Sequence, residues 1–271
     1  MNKTGVVIRI RPRKVFFLLL AMIVLLVIAG VAGQVIKYKA GHPHMMGFVP
    51  KFNLDEENNI PTYFSSIILL TACILLAVIG LWKQQKGARY ARHWLFLSIV
   101  FLFLSIDEAA SIHELVNTPF RVTYGVSGMF RFAWVLFAIP LVVLFGISYL
   151  KFLLIIPKRI RLRIILAGIL YVGGALGCEL ISGWYQDTTY DVGFNYAMLT
   201  ALEETLEMIG VTVFIYALLE YICIHIAEVR LCIGGKIPTK TVVIEPELIV
   251  LQRKNITFER NSTLANKKED A

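Results

Sequence analysis

The chain has 271 residues, 57% hydrophobic and 17% charged, with 27 Lys and Arg against 19 Asp and Glu for a formal net charge of +8. A soluble domain carries about 25% charged and about 45–50% apolar residues, and the apolar residues here come in blocks about twenty residues long. A soluble globular enzyme, a disordered chain and a disulfide scaffold are excluded. The basic excess falls between the blocks, where membrane topology wants it, so no nucleic-acid partner is expected.

Crossing a hydrocarbon core of about 30 Å takes roughly 20 helical residues. Six blocks qualify: Val15–Ile36, Tyr63–Trp82, Trp94–Val116, Phe130–Leu150, Ile164–Tyr185 and Tyr196–Ile222. They predict an all-α polytopic membrane bundle of six transmembrane helices set in the lipid bilayer. The expected organisation is a basic N-terminus over 1–14, a transmembrane domain over 15–230 and a cytoplasmic tail over 231–271. The first block follows Arg9, Arg11, Arg13 and Lys14. Its apolar run of about 22 residues exceeds the about 7–15 of a signal-peptide core. An uncleaved anchor is expected, although Gly30-Val31-Ala32 would suit cleavage.

His42-Pro43-His44-Met45-Met46 reads as an ordinary linker rather than a soft-metal trap. Pro140 is expected to kink the fourth helix. Gly173 and Gly177 form a GxxxG spacing, expected to pack closely against a neighbour. Glu220 and His225 fall at the inner end of the sixth block and read as interfacial. The tail carries short β-like runs, Val242–Ile244 and Leu248–Leu251, split by Pro246. Cys73, Cys178, Cys223 and Cys232 form no CxxC pair and read as small buried residues.

The Lys and Arg side chains set the orientation. The N-terminus, the second and fourth linkers and the tail hold 22, and the remaining linkers hold 5. By the positive-inside rule both termini are cytoplasmic. The expected location is the plasma membrane, a bacterial inner membrane.

Charged residues inside spans are costly and by default mark function. The third span ends Ser105-Ile106-Asp107-Glu108-Ala109-Ala110-Ser111-Ile112-His113-Glu114. The fifth carries Glu179, and the sixth opens with Thr200, Glu203, Glu204 and Glu207. Counted at about 1.5 Å per residue from the outer ends, Asp107 lies about 15 Å deep, Glu179 and Glu203 about 10 Å, and Glu207 about 16 Å. One helical stripe takes Asp107, Ser111 and Glu114, while His113 points off it, so presenting His113 and Asp107 together needs a bend. The nearby cations are His113, Arg121 and Arg131, too few for seven carboxylates. Protons or a bound cation must carry the rest. Oxygen-rich sites with one histidine suit a divalent ion such as Mg, Mn, Fe or Zn.

The pair of motifs, Ser-Ile-Asp-Glu-x4-His-Glu at 105–114 and Glu-Glu-x-x-Glu-Met-Ile-Gly at 203–210, resembles a group of bacterial multi-pass membrane proteins without a characterised activity. The resemblance implies that the two motifs act as one unit. Known metal patterns do not recur: no intramembrane Glu has a His three residues on, and His-Glu-x-x-His is absent.

Two readings follow. The first is a metal-dependent membrane enzyme working on a lipid or lipid-linked substrate from the outer side. Asp107, Glu203 and Glu207 would hold the metal, with Glu108, Glu179 or His113 completing the shell. Glu204, Glu114 or Glu108 would be the catalytic carboxylate. The second is a proton- or cation-coupled transporter, or a metal-binding assembly or sensor subunit. The inner halves of the spans are almost wholly apolar, which favours a one-sided site over a conduit.

Overall fold

A computed structural model describes residues 10–226 apart from Glu57. The β-like runs of the tail and Cys232 lie outside the described residues. Contacts divide the chain into two units, Met1–Ile222 and Cys223–Ala271, and every side chain discussed as part of the site belongs to the first.

The fold is all-α. Six helical stretches are long and apolar enough to cross a membrane, the architecture of a multi-pass membrane protein. They are α1 (Pro12–Tyr38), α3 (Ile60–Gln85), α4 (Ala91–Ala110), α6 (Val135–Ile155), the run from α7 (Lys158–Val172) through a π-helical turn (Gly173–Cys178) into α8 (Glu179–Thr189), and α9 (Phe194–His225). Shorter helices, α2 (Phe48–Phe52) and α5 (Asn117–Tyr124), lie in the linkers. Local chemistry sets several ends. Pro12 and Pro61 sit in first turns, where a missing N–H leaves nothing unsatisfied. Asn59 caps α3 by accepting from the Thr62 amide at 3.1 Å.

The helix faces sort into a packed centre and a lipid-like exterior. On α9, Met208, Ile215, Ala217 and Leu218 are buried, as are Leu76 and Ile79 of α3. The outer faces of α1 and α6 expose Phe17, Leu18, Leu25, Leu144 and Leu154. Lipid tails are as apolar as these side chains, so helix pairing must draw on close packing and hydrogen bonds. The α3–α4 pair does so. Ser66 Oγ donates to the Ser105 carbonyl at 2.8 Å and Ser105 Oγ to the Ser66 carbonyl at 2.9 Å. Lower down, Ser98 Oγ donates to the Cys73 carbonyl at 2.9 Å.

The two ends of the bundle differ. At one end Tyr149 donates to the His93 carbonyl, Trp94 packs on Phe152, and Glu220 pairs with Arg163 and Arg159. Glu220 is thus held in an ion pair. At the other, acidic end, Tyr38 donates to the Val192 carbonyl at 2.9 Å. There Gln34 bonds to buried Asn53, fixing the linker between α1 and α3. His42, His44, Met45 and Met46 are exposed.

Three expectations are corrected. The third helix stops at Ala110, not Val116, because Ser111 adopts a left-handed conformation (φ 52°) and the chain turns. The fourth starts at Val135, not Phe130. Asp187 accepts from the Gly128 amide at 2.9 Å and Asn117 from the Trp134 amide at 3.2 Å, which holds the approach to α6 out of the helix. The GxxxG pair is not the close contact: a Cβ on Gly173 or Gly177 meets nothing within 4 Å. Gly174 makes the contact instead, where a Cβ would lie 2.9 Å from the Glu203 carbonyl oxygen and from Glu207 Cγ.

Candidate functional site

The acidic end of α4 is shaped by its own terminus. At Ser111 the chain leaves the helix, its amide still bonded to the Asp107 carbonyl at 2.7 Å. The following turn swings His113 back over Asp107. Asp107 Oδ1 accepts the His113 amide at 2.8 Å, and Oδ2 lies 3.1 Å from His113 Nδ1. The bend required for the two side chains to meet is present. It also breaks the expected stripe, because Glu114 lies in a 3₁₀ turn beyond the helix.

Next to the dyad stands Trp134, its ring centroid 5.2 Å from that of His113. Its Nε1 donates to Glu179 Oε1 at 3.2 Å. Glu179 leaves the π-helical turn as the first residue of α8. That turn, over the small-residue stretch Gly-Gly-Ala-Leu-Gly-Cys, inserts one extra residue per turn, a feature common at functional sites. Glu203 of α9 is the neighbouring carboxylate. The Glu203 side chain is buried, and its Oε2 meets no hydrogen-bond partner among the described residues. Ser182 Oγ, one turn beyond Glu179, is buried in the same condition.

Close backbone approach brings these helices together. Gly174 lies against Glu203 and Glu207, and a Cβ on Gly210 would lie 2.8 Å from the Tyr171 amide nitrogen. Tyr171 lines the same space as Glu207, Glu108, Asp107 and Glu204.

One cavity of about 1470 Å³ gathers this set. Its wall includes all eight side chains singled out from the sequence: Asp107, Glu108, His113, Glu114, Glu179, Glu203, Glu204 and Glu207. Asp55 and Glu56, from the linker between α1 and α3, join them, so that linker closes over the acids. The wall then continues as a long apolar chamber between α4, α6, α7 and α9, reaching Trp94, Tyr149 and Phe152 at the other end.

The acids are spread along this wall. Among the described residues no three His, Cys, Asp or Glu side chains converge closely enough to hold a metal ion. The expected depths also shift, since Asp107 lies three residues from the end of α4, about 5 Å along the axis. Glu207 lies thirteen residues into α9, about 20 Å. Arg131 does not counter the cluster, because it pairs with Asp187 at 3.3 Å and bonds Gln186.

Asp55, Glu56, Trp134, Tyr171 and Tyr196 were not singled out from the sequence. Asp55 is the most informative of them. Its side chain stays partly open, yet desolvation by the surrounding chain raises its carboxyl above the ordinary aspartate range, with Glu56 and Glu114 adding to the rise and Thr200 and Lys37 opposing it. A linker acid gives no signal of its own. The aromatic residues are common at interfaces and inside spans alike.

The chain belongs to the family described as a domain of unknown function (DUF8692), which matches it over residues 17–222. No curated protein and no solved structure matches it.

Proposed function

We propose that this protein is a membrane enzyme acting on a lipid or lipid-linked substrate, whose polar part meets the carboxylates and His113 while its chains occupy the apolar chamber. The observation that supports this reading is the continuity of the cavity, whose acidic end and apolar length share one wall. At about 1470 Å³ it exceeds the about 300–1,000 Å³ of a site for a compact small molecule.

The residues divide the work. Asp107 fixes the His113 ring and sets its tautomer, the orienting role a carboxylate plays behind a general base. Glu179 and Glu203 stand side by side in the cavity wall, two carboxyl groups beside the substrate space. Glu204, Glu114 or Glu108 would take a proton from a hydroxyl or water. Oxygen-rich donors suit a divalent metal (Zn, Fe, Mn or Mg), and Asp107, Glu203 and Glu207, with Glu179 or His113, would have to close in on it. When bound, such an ion would supply an activated water.

The orientation goes with this reading. The 22 to 5 distribution of Lys and Arg supports an acidic end facing out and both termini in the cytoplasm, and a bacterial inner membrane is the location that goes with the proposal. Labelling of Thr189→Cys by an impermeant reagent from outside is the expected outcome.

A proton- or cation-coupled transporter is the second reading, favoured by the number of acids. The far end of the cavity is apolar, and Glu220 at that end is held by Arg163 and Arg159 rather than lining the cavity. One experiment separates the two. Purified protein in liposomes of bacterial lipid extract, with and without added Mn or Zn, is followed by mass spectrometry of the lipids. The enzyme reading expects a lipid product lost in Glu203→Gln and His113→Asn. Unchanged lipids, together with a proton flux abolished by Glu207→Gln, would replace it by the transporter.

A further inference from the structure

Nine carboxylates line the cavity: Asp55, Glu56, Asp107, Glu108, Glu114, Glu179, Glu203, Glu204 and Glu207. Among the described residues no Lys or Arg lines it; His113 in its wall is paired with Asp107, and Arg131 is spent on Asp187 and Gln186. Phosphate groups are recognised by Arg, Lys and backbone amides, and a wall of acids repels them. A cationic group meets the opposite situation. Glu203 Oε2 is a buried acceptor without a partner, in a side chain only 6% exposed. An acceptor left unmet in such surroundings is costly, and an N–H donor removes that cost.

Charge alone would be satisfied by a small inorganic cation. The rest of the wall argues for a chain attached to the charge, because most of the lining is apolar and runs the length of the bundle.

The α4 and α6 helices do not pack against each other along their lengths. α4 and α6 touch at one end through Trp94 and Phe152, and at the other the segments just beyond them touch through His113 and Trp134. Between these points, Phe96, Ile99 and Phe103 of α4 and Phe137, Leu141 and Val143 of α6 line the cavity and keep about half or more of their surface open, uncovered by the facing helix. In a bilayer such open surface meets acyl chain.

We infer that the ligand of this cavity is an amphiphile with a protonated amine, which slides in from the bilayer between α4 and α6 and sets its ammonium group against Glu203 and its neighbours. This inference rests on the lipid-enzyme reading and narrows its substrate class. The ammonium offers three donors to carboxylates, and such charge-assisted bonds are roughly twice as strong as neutral ones.

The test uses the full chain in nanodiscs with hexadecylamine, hexadecanol and hexadecyl phosphate as probes, each measured by native mass spectrometry in EDTA and again with Mn. The expected result is amine binding in EDTA at least about tenfold tighter than alcohol binding. Gly146→Trp should abolish it, because Gly146 lines the cavity and a Cβ there meets nothing within 4 Å. Gly168, with the same two properties, provides a second block as Gly168→Phe should the first variant fail to fold. Equal binding of amine and alcohol, or tight binding of the phosphate probe in Mn alone, would overturn the amine while leaving the lipid-enzyme reading in place. Binding of none of the three probes would overturn both.

Discussion

Asp107 and His113, six residues apart, face each other across a break in the backbone. One carboxylate oxygen accepts the His113 amide at 2.8 Å, and the other lies 3.1 Å from the imidazole Nδ1. The carboxylate therefore does two things at once. It anchors the turn that follows Ser111, and it fixes the ring that faces Trp134.

Removal of that carboxylate should loosen the turn before it affects the bundle. Asp107→Ala is expected to cost about 1.5–3 kcal/mol, the range for a hydrogen bond to a charged partner. Amide exchange at 111–116 should rise more than exchange in α3 or α9. Asp107→Asn keeps an acceptor for the amide and should show a smaller rise. Mass-spectrometric hydrogen exchange in detergent reads both.

Glycines in the fifth span should respond in opposite directions. Gly174→Val places a side chain against the Glu203 carbonyl and Glu207, and overpacking of this kind costs about 1–3 kcal/mol. Gly173→Ala enters open space and gains from helix propensity, about 0.5–1 kcal/mol. Thermal unfolding of the purified variants should lie on either side of the parent.

Glu203 should trade stability for function. Glu203→Gln keeps the shape of the side chain, offers an amide donor to the neighbouring Glu179, and no longer buries an ionisable group. Its unfolding temperature is expected to equal or exceed that of the parent while lipid conversion is lost, as for other residues held at a site against stability. Glu203→Ala, which leaves a void beside Gly174, should unfold earlier.

Asp55 sets a pH dependence of definite sign. Its carboxyl is raised above the ordinary value of 3.8 in the folded chain, so folding favours the protonated form. The associated stability is fully present below the ordinary aspartate value and is lost as the pH rises through the raised one. Asp55→Asn should therefore melt higher than the parent at pH 7, and the difference should vanish in acid. Melting curves across pH check this.

Much of the bundle was legible because a span is a length requirement on apolar sequence. Each of the six predicted blocks overlaps a helix, and all eight predicted site residues reach one cavity. What the sequence hid came from backbone geometry. Ser111 is not a residue whose type announces a left-handed turn, so the end of α4 and the Asp107–His113 contact were invisible. Glycine spacing pointed to Gly173 and Gly177, but the π-helical turn changes which side of the helix each residue faces and gives the contact to Gly174. Asp55 sits in a linker held by buried Asn53 and Gln34. That long-range pairing carries no periodic signal.

The central claim is that the acids and the apolar chamber form one lipid site, and a photo-crosslinking amino acid at Ala138 tests it most directly. Ala138 lines the cavity, whereas Leu18 is exposed on α1 and lies outside it. After irradiation of membranes, the adducts at each position are identified by mass spectrometry. The account expects a single enriched lipid species at Ala138, lost in Gly146→Trp, and the bulk lipid mixture at Leu18. The same bulk mixture at both positions, unchanged by Gly146→Trp, would contradict it.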